Sequence, residues 1–183
     1  MCMEPPLFIE IVNFWREAGP KLWFKRDETF DGEIRARFET AHLMASRGEY
    51  ADWDETAEGA LALILLLDQF PRNIYRGSAH AFATDGLARA AARQALHAMQ
   101  DETVDSPLRV FFYLPFEHSE DLADQDLAVA LISAVGAEDY TRFARLHRDI
   151  IKRFGRFPHR NAALGRVSTA EEIAFLAEGG FAG

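Results

Sequence analysis

The side chains best suited to chemistry fall in two short, nearly repeated segments, Phe70-Pro71-Arg72-Asn73 and Phe157-Pro158-His159-Arg160-Asn161. Each follows an apolar helical pattern and lies in a stretch free of acids. Residues 69–84 carry Arg72, Arg76 and His80; residues 150–170 carry Lys152, Arg153, Arg156, His159, Arg160 and Arg166. In a chain of formal net charge −9 these two basic islands stand out. Arginine presents a planar fork of donors that matches carboxylate and phosphate. The chemistry expected is capture of a small anion, with Arg156, Arg160 and Arg166 as the clamp and Asp68, Arg72, Asn73, His159 and Asn161 as further ligand-binding groups. The competing role is internal: the same guanidinium groups neutralise buried carboxylates such as Asp68 and Glu120 and act as structural glue.

Proton-transfer candidates are His147, His118 and Glu120. Tyr140, Phe143, Ala144, His147, Ile150, Ile151 and Phe154 recur at helical spacing, which places His147 on an apolar face where it needs a polar partner. It is either a proton carrier or a core histidine bonded to a carbonyl. Glu117-His118-Ser119-Glu120-Asp121 follows the apolar run 111–116; Ser119 is expected to cap a helix, with Glu120 and Asp121 in its first turn. Glu120 or Asp68 would orient the proton-carrying histidine. Asp68 ends the most apolar stretch, where burial and the helix dipole both disfavour its charge, so it needs Arg72, Asn73 or Arg76. Pro71 is expected to break the helix before Arg72, which excludes a simple i,i+4 pair. No metal ligand set is expected: His118 and Glu120 are two residues apart, which is no specific signature, and H-E-x-x-H is absent. There is no G-x-S-x-G, phosphate-binding loop or dinucleotide fingerprint, and no cofactor is expected.

The elements that must position these residues read as helices throughout. Their approximate spans are 5–18, 27–48, 55–70, 85–99, a short one opened by Ser106-Pro107 and interrupted at Pro115, 119–136, 138–154, and one from Ser168 to before Gly179. Asp27 is the expected N-cap of the second, whose apolar face is Phe30, Ile34, Phe38, Ala41 and Leu43. Ser168-x-x-Glu171 reads as a capping box. Leu61 to Leu67 is apolar on every side, which predicts a central helix. Short connections suggest antiparallel stacking in a single domain over 1–183.

Composition sets the broad class. Hydrophobic residues make up 49% and charged residues 27%, the balance of a globular domain. Cys2 is the only cysteine, so no intrachain disulfide can form, in accord with a reducing compartment. The N-terminus lacks a signal-peptide pattern and no apolar run reaches membrane-spanning length, which leads to the expectation of a cytoplasmic protein without a membrane partner. A pI near 5.1 argues against nucleic acid as a partner.

The motifs also resemble a bacterial family known as domain of unknown function 924. The likeness is carried by Leu67-Asp68-Gln69-Phe70-Pro71-Arg72-Asn73 with Arg76-Gly77, Glu117-His118-Ser119-Glu120, His147, and Phe154-Gly155-Arg156-Phe157-Pro158-His159-Arg160-Asn161. Leu164-Gly165-Arg166, Ser168-Thr169 with Glu171-Glu172, Asn13-Phe14-Trp15 and Trp23-Phe24 extend it over almost the whole chain. The resemblance implies an all-α, tetratricopeptide-like fold and no assigned activity. The expectation is therefore an all-α domain of about eight helices stacked as antiparallel pairs, in which the named residues converge on one polar cleft. Its partner is a small anionic ligand, handled with acid–base or hydrolytic chemistry. The alternative is a tetratricopeptide-like scaffold that binds a peptide or protein, with the polar cluster purely structural. The oligomeric state is not legible.

Overall fold

The computed structural model describes residues 6–182; Cys2 and the expected helix start at Pro5 lie outside them. The fold is all-α, with no strand among the described residues. Among the described residues, eleven α-helical segments are formed: α1 Leu7–Ala18, α2 Pro20–Trp23, α3 Glu28–Ser46, α4 Ala57–Ile64, α5 Phe70–Ile74, α6 Asp85–His97, α7 Ser106–Arg109, α8 Leu114–Glu117, α9 Leu122–Ala134, α10 Glu138–Phe154 and α11 Ala170–Ala177. The number exceeds the eight expected because α2 and α5 are single turns beside a proline, too short to leave a periodic pattern, and the short helix expected from Ser106-Pro107 is divided into α7 and α8. No helix among the described residues is long and apolar enough to cross a membrane.

The chain divides into two compact units, Met1–Arg76 with His80–Pro115, and Gly77–Ala79 with Phe116–Gly183. In the first, α3 starts where Asp27 accepts the backbone N–H groups of Thr29 and Phe30, as its sequence dictates. Phe30, Ile34, Phe38 and Ala41 are buried, but Leu43 is exposed and His42 takes its place, because the buried stripe advances at three- and four-residue steps to Ala45. Aromatic rings fill the space beneath: Phe70 lies 5.6 Å from Trp15 and 5.2 Å from Phe38, centroid to centroid. Residues 60–70 are all buried, as the uniformly apolar run requires.

Pro71 does not end this central helix. The chain widens into a single π turn, Leu65–Gln69, and continues as α5. The Phe70 N–H reaches back to the Leu65 carbonyl instead of Leu66, and Pro71 has no N–H to offer Leu67. Two carbonyls are thereby released, and each finds a side chain: His42 Nδ1 lies 2.8 Å from Leu66 O, and Thr84 Oγ1 donates to Leu67 O at 2.6 Å. The turn exists because tertiary partners replace the ladder bonds that proline forbids. Thr84→Val keeps the shape and removes one of those partners, leaving a buried carbonyl unsatisfied. Chemical denaturation should show a loss of about 1–3 kcal/mol; an unchanged midpoint would mean the bond contributes nothing.

In the second unit, Asp121, not Ser119, caps α9, accepting from Ala123 and Asp124. Ser119 Oγ is already turned to the N–H of Asp121. Residues 135–137 join α9 to α10, and the two helices pack as an antiparallel pair. On α10, Thr141, Ala144, His147, Ile150 and Ile151 are buried. Phe143 is instead 45% exposed, since the buried stripe of the helix runs through Thr141 and Ala144. Gly155, in the left-handed region at φ 69°, ends α10 and turns the chain into the Phe157 segment. Phe157 then packs with Ile150 and Ile151, flanked by Phe154, Phe175 and Phe181.

Candidate functional site

Asp68, Arg72 and Asn73 belong to the first unit; His118, Glu120, His147, Arg156, His159, Arg160, Asn161 and Arg166 belong to the second. Because the helix runs through Pro71, Asp68 is not at a helix end, and its side chain, fully buried, meets Arg72 Nη1 at 3.2 Å as a true i,i+4 pair. Arg72 also forks onto Asp85, Nη1 to Oδ1 at 2.9 Å and Nη2 to Oδ2 at 3.1 Å. Gln69 donates to the other Asp68 oxygen at 2.6 Å. Asn73 turns away to Asp31, 2.7 Å from its amide nitrogen, and Arg76 engages the same carboxylate.

The second unit brings its candidates into two connected networks. Glu120 accepts both terminal nitrogens of Arg166, at 2.7 and 2.9 Å, and the Phe157 N–H at 2.8 Å. Burial raises the Glu120 pKa, but the Arg166 fork and the Phe157 N–H outweigh it and hold it below the ordinary carboxylate value. Arg166 Nε donates to Asn161 Oδ1 at 2.9 Å, and the Asn161 amide reaches Glu172 at 3.2 Å. Glu172 accepts Arg156 Nε at 2.6 Å and Nη2 at 2.8 Å, and closes a capping box with Thr169 at the start of α11. The box lies one residue beyond the expected Ser168–Glu171, because Ser168 Oγ is taken by Asn161. Arg156 and Arg166 are therefore engaged by carboxylates of their own unit.

The histidines form the other cluster. His147 Nδ1 lies 2.8 Å from the Phe143 carbonyl and 2.9 Å from Glu117 Oε1. A carbonyl can only accept, so Nδ1 carries the hydrogen and Nε2 is left as the basic nitrogen of the neutral ring. The orienting carboxylate is Glu117, not the expected Glu120 or Asp68: Glu120 is committed to Arg166 and Asp68 to Arg72. Glu117 and His147 are both buried. Phe181 packs edge-on to both His147 and His159, with centroids at 4.5 and 5.2 Å. The His159 pKa is pushed down to about 3, first by burial and then by Arg160, His147 and His118, with Glu120 opposing. His159 is thus a neutral ring at physiological pH, its Nδ1 buried and without a hydrogen-bond partner. The Arg160 guanidinium lies 4.5 Å over the Phe157 ring. Among the described residues no group of three His, Cys, Asp or Glu side chains is placed to hold a metal ion.

Residues 11–180 match the model of a family described as a bacterial protein of unknown function, DUF924. The chain belongs to that family. The DUF924 description carries no activity with it. A solved structure, that of the protein of unknown function ATU0120 from Agrobacterium tumefaciens, is similar at 52% identity with a TM-score of 0.92, over 94% of this chain and 98% of that one. No curated protein matches the sequence. Three residues of the candidate site are not singled out by the sequence. Glu117 stands out only as the neighbour of His118, the capping box is expected at Glu171 and not at Glu172, and Phe181 lies in a C-terminal segment with no pattern of its own. A carboxylate just after an apolar run, as Glu117 is after 111–116, was the available signal for the first.

Proposed function

We propose that the second unit binds a small anionic ligand and exchanges a proton with it through His147. The single observation behind this reading is the buried Glu117–His147 pair at 2.9 Å, in which the carboxylate and the Phe143 carbonyl fix the ring tautomer, leaving Nε2 to take or give the proton. His118 completes the acid–base set, Glu120 holds the Phe157 segment through Arg166, and His159 with Arg160 supplies the polar wall on the ligand side. A neutral His159 can offer an acceptor or a donor without the desolvation penalty of a charge.

The occupied guanidinium groups of Arg156 and Arg166 favour the alternative, a tetratricopeptide-like scaffold for a peptide or protein in which both ion-pair networks serve only to hold the Phe157 segment. A thermal-shift screen of anionic metabolites on the wild-type chain and on His147→Gln separates the two. A ligand at ten times its Kd should stabilise the wild type by about 1.4 kcal/mol, or roughly 3–5 °C, beyond chloride at equal ionic strength. In His147→Gln that shift should disappear. No response to any anion, or one that persists unchanged in the variant, would leave the scaffold reading in place. Nitrogen-15 imidazole spectra add a second check: His159 should keep its neutral signature from pH 8 down to pH 4.

A further inference from the structure

The first unit contains an open groove of about 260 Å³ whose walls are Arg26, Arg35, Arg76 and Asn73, with Gly32 and Glu28 beside them. It is independent of the His147 site, and every lining residue belongs to the first unit. Asp31, the other acid in the groove, is already neutralised: Arg76 Nε and Nη2 each lie 2.9 Å from its oxygens, and the Asn73 amide donates to Oδ1 at 2.7 Å. This hydrogen-bonded Asp31–Arg76–Asn73 unit contributes donors and no net charge.

Two cations remain. Arg35 donates from Nη2 to the Ile74 carbonyl, which anchors its guanidinium at the end of α5, and it forms no ion pair among the described residues. Its helical neighbours at i−4 and i+4, Asp31 and Glu39, are bonded elsewhere, to Arg76 and to Tyr75. Arg26 is exposed and makes neither a hydrogen bond nor an ion pair among the described residues. With Glu28 the only acid left to set against them, the groove carries a surplus of positive charge on a chain of net charge −9. Gly32 faces open space, since an added Cβ there would meet nothing within 4 Å. In the interior of α3 a glycine weakens the helix by roughly 0.5–1 kcal/mol relative to alanine. The volume exceeds the ~30 Å³ share of one water several-fold and falls below the ~300 Å³ lower bound for drug-sized ligands.

We propose that this groove binds a small oxyanion, the phosphate or carboxylate of a metabolite, held between the Arg26 and Arg35 guanidinium groups over the Asp31–Arg76 pair. Arginine forks recognise both groups by the same paired hydrogen bonds.

The test is backbone amide NMR of the full chain titrated with inorganic phosphate, succinate and chloride at constant ionic strength. The Gly32 and Asn73 amides should move saturably with phosphate or succinate and not with chloride; the stronger of the two identifies the group recognised. Arg26→Gln, at an exposed position with no bonds to lose, should weaken the response at least tenfold. Gly32→Leu fills the groove without losing the fold and should abolish it, while His147→Gln should leave it intact. No saturable shift with either oxyanion, or a shift that survives both Arg26→Gln and Gly32→Leu, would overturn the proposal.

Discussion

Replacing Arg72 with methionine should destabilise the protein by about 3–5 kcal/mol, the range for stripping one partner from a buried ion pair. Arg72 bridges Asp68, fully buried, and Asp85, itself 8% exposed, at 3.2 and 2.9 Å. Without it, two desolvated carboxylates lose the guanidinium that joins them, while Asp68 keeps the bond from the Gln69 amide. The aliphatic part of methionine replaces most of the packing, so the loss reports the charge. In a chain of this size the change should lower the melting temperature by roughly 10 °C. Two companion variants fix the cause. Arg72→Lys keeps the charge and loses the fork, and should recover part of the loss. Arg72→Met combined with Asp68→Asn removes both charges of the closest pair and should be more stable than Arg72→Met alone. A single-variant loss under about 1 kcal/mol, or a double variant less stable than the single, would show that the triad contributes packing and not charge neutralisation.

That triad also marks where the sequence stops being legible. The seventeen residues of α10 could be bounded from period and from Gly155 alone, because one helix satisfies its own backbone and ends at a residue that accepts positive φ. The Asp27 cap was legible for the same reason: it is a local bond. The π turn was not. Pro71 reads as a helix breaker, and only the side chains of His42 and Thr84, twenty-four and seventeen residues from their carbonyls, make continuation possible. The same limit applies to the site. The burial of His147 follows from its place on α10, but the choice of Glu117 over Glu120 depends on the phase of the four-residue α8, which no periodicity can reveal. The basic islands were visible as composition, whereas the carboxylates that engage them lie outside both islands, at Asp31, Asp85, Glu120 and Glu172.

Glu172 should make the protein acid-labile in a defined window. Its carboxylate is 2% exposed and accepts four hydrogen bonds: two from Arg156 at 2.6 and 2.8 Å, one from the Thr169 N–H at 2.7 Å and one from the Asn161 amide at 3.2 Å. The Arg156 bonds, opposed by desolvation and assisted by Thr169 and Asn161, hold its pKa down to about 2, against 4.5 in an unfolded chain. A carboxyl group that is more acidic folded than unfolded stabilises the fold above its unfolded value. That stability is lost as pH falls from about 4.5 toward about 2, because the unfolded chain takes up the proton first. His159 acts in the same direction: its folded pKa of about 3 lies below the ordinary 6.5, so the unfolded state gains protons from about pH 6.5 downward. Denaturant midpoints measured between pH 7 and pH 2.5 should therefore fall in two overlapping phases. Glu172→Gln should flatten the lower phase and leave the upper one in place, at the expense of the Arg156 pair at neutral pH. His159→Phe, which keeps a ring beside Phe157 and Phe181, should flatten the upper phase alone. Glu172→Ala, which deprives Arg156, Asn161 and the Thr169 N–H of their acceptor at once, should lower stability at pH 7 by about 3 kcal/mol. If the wild-type midpoint is flat from pH 6 to pH 3, or if Glu172→Gln loses stability by the same amount at every pH, the carboxylate is not the group that ties the Phe157 loop to α11.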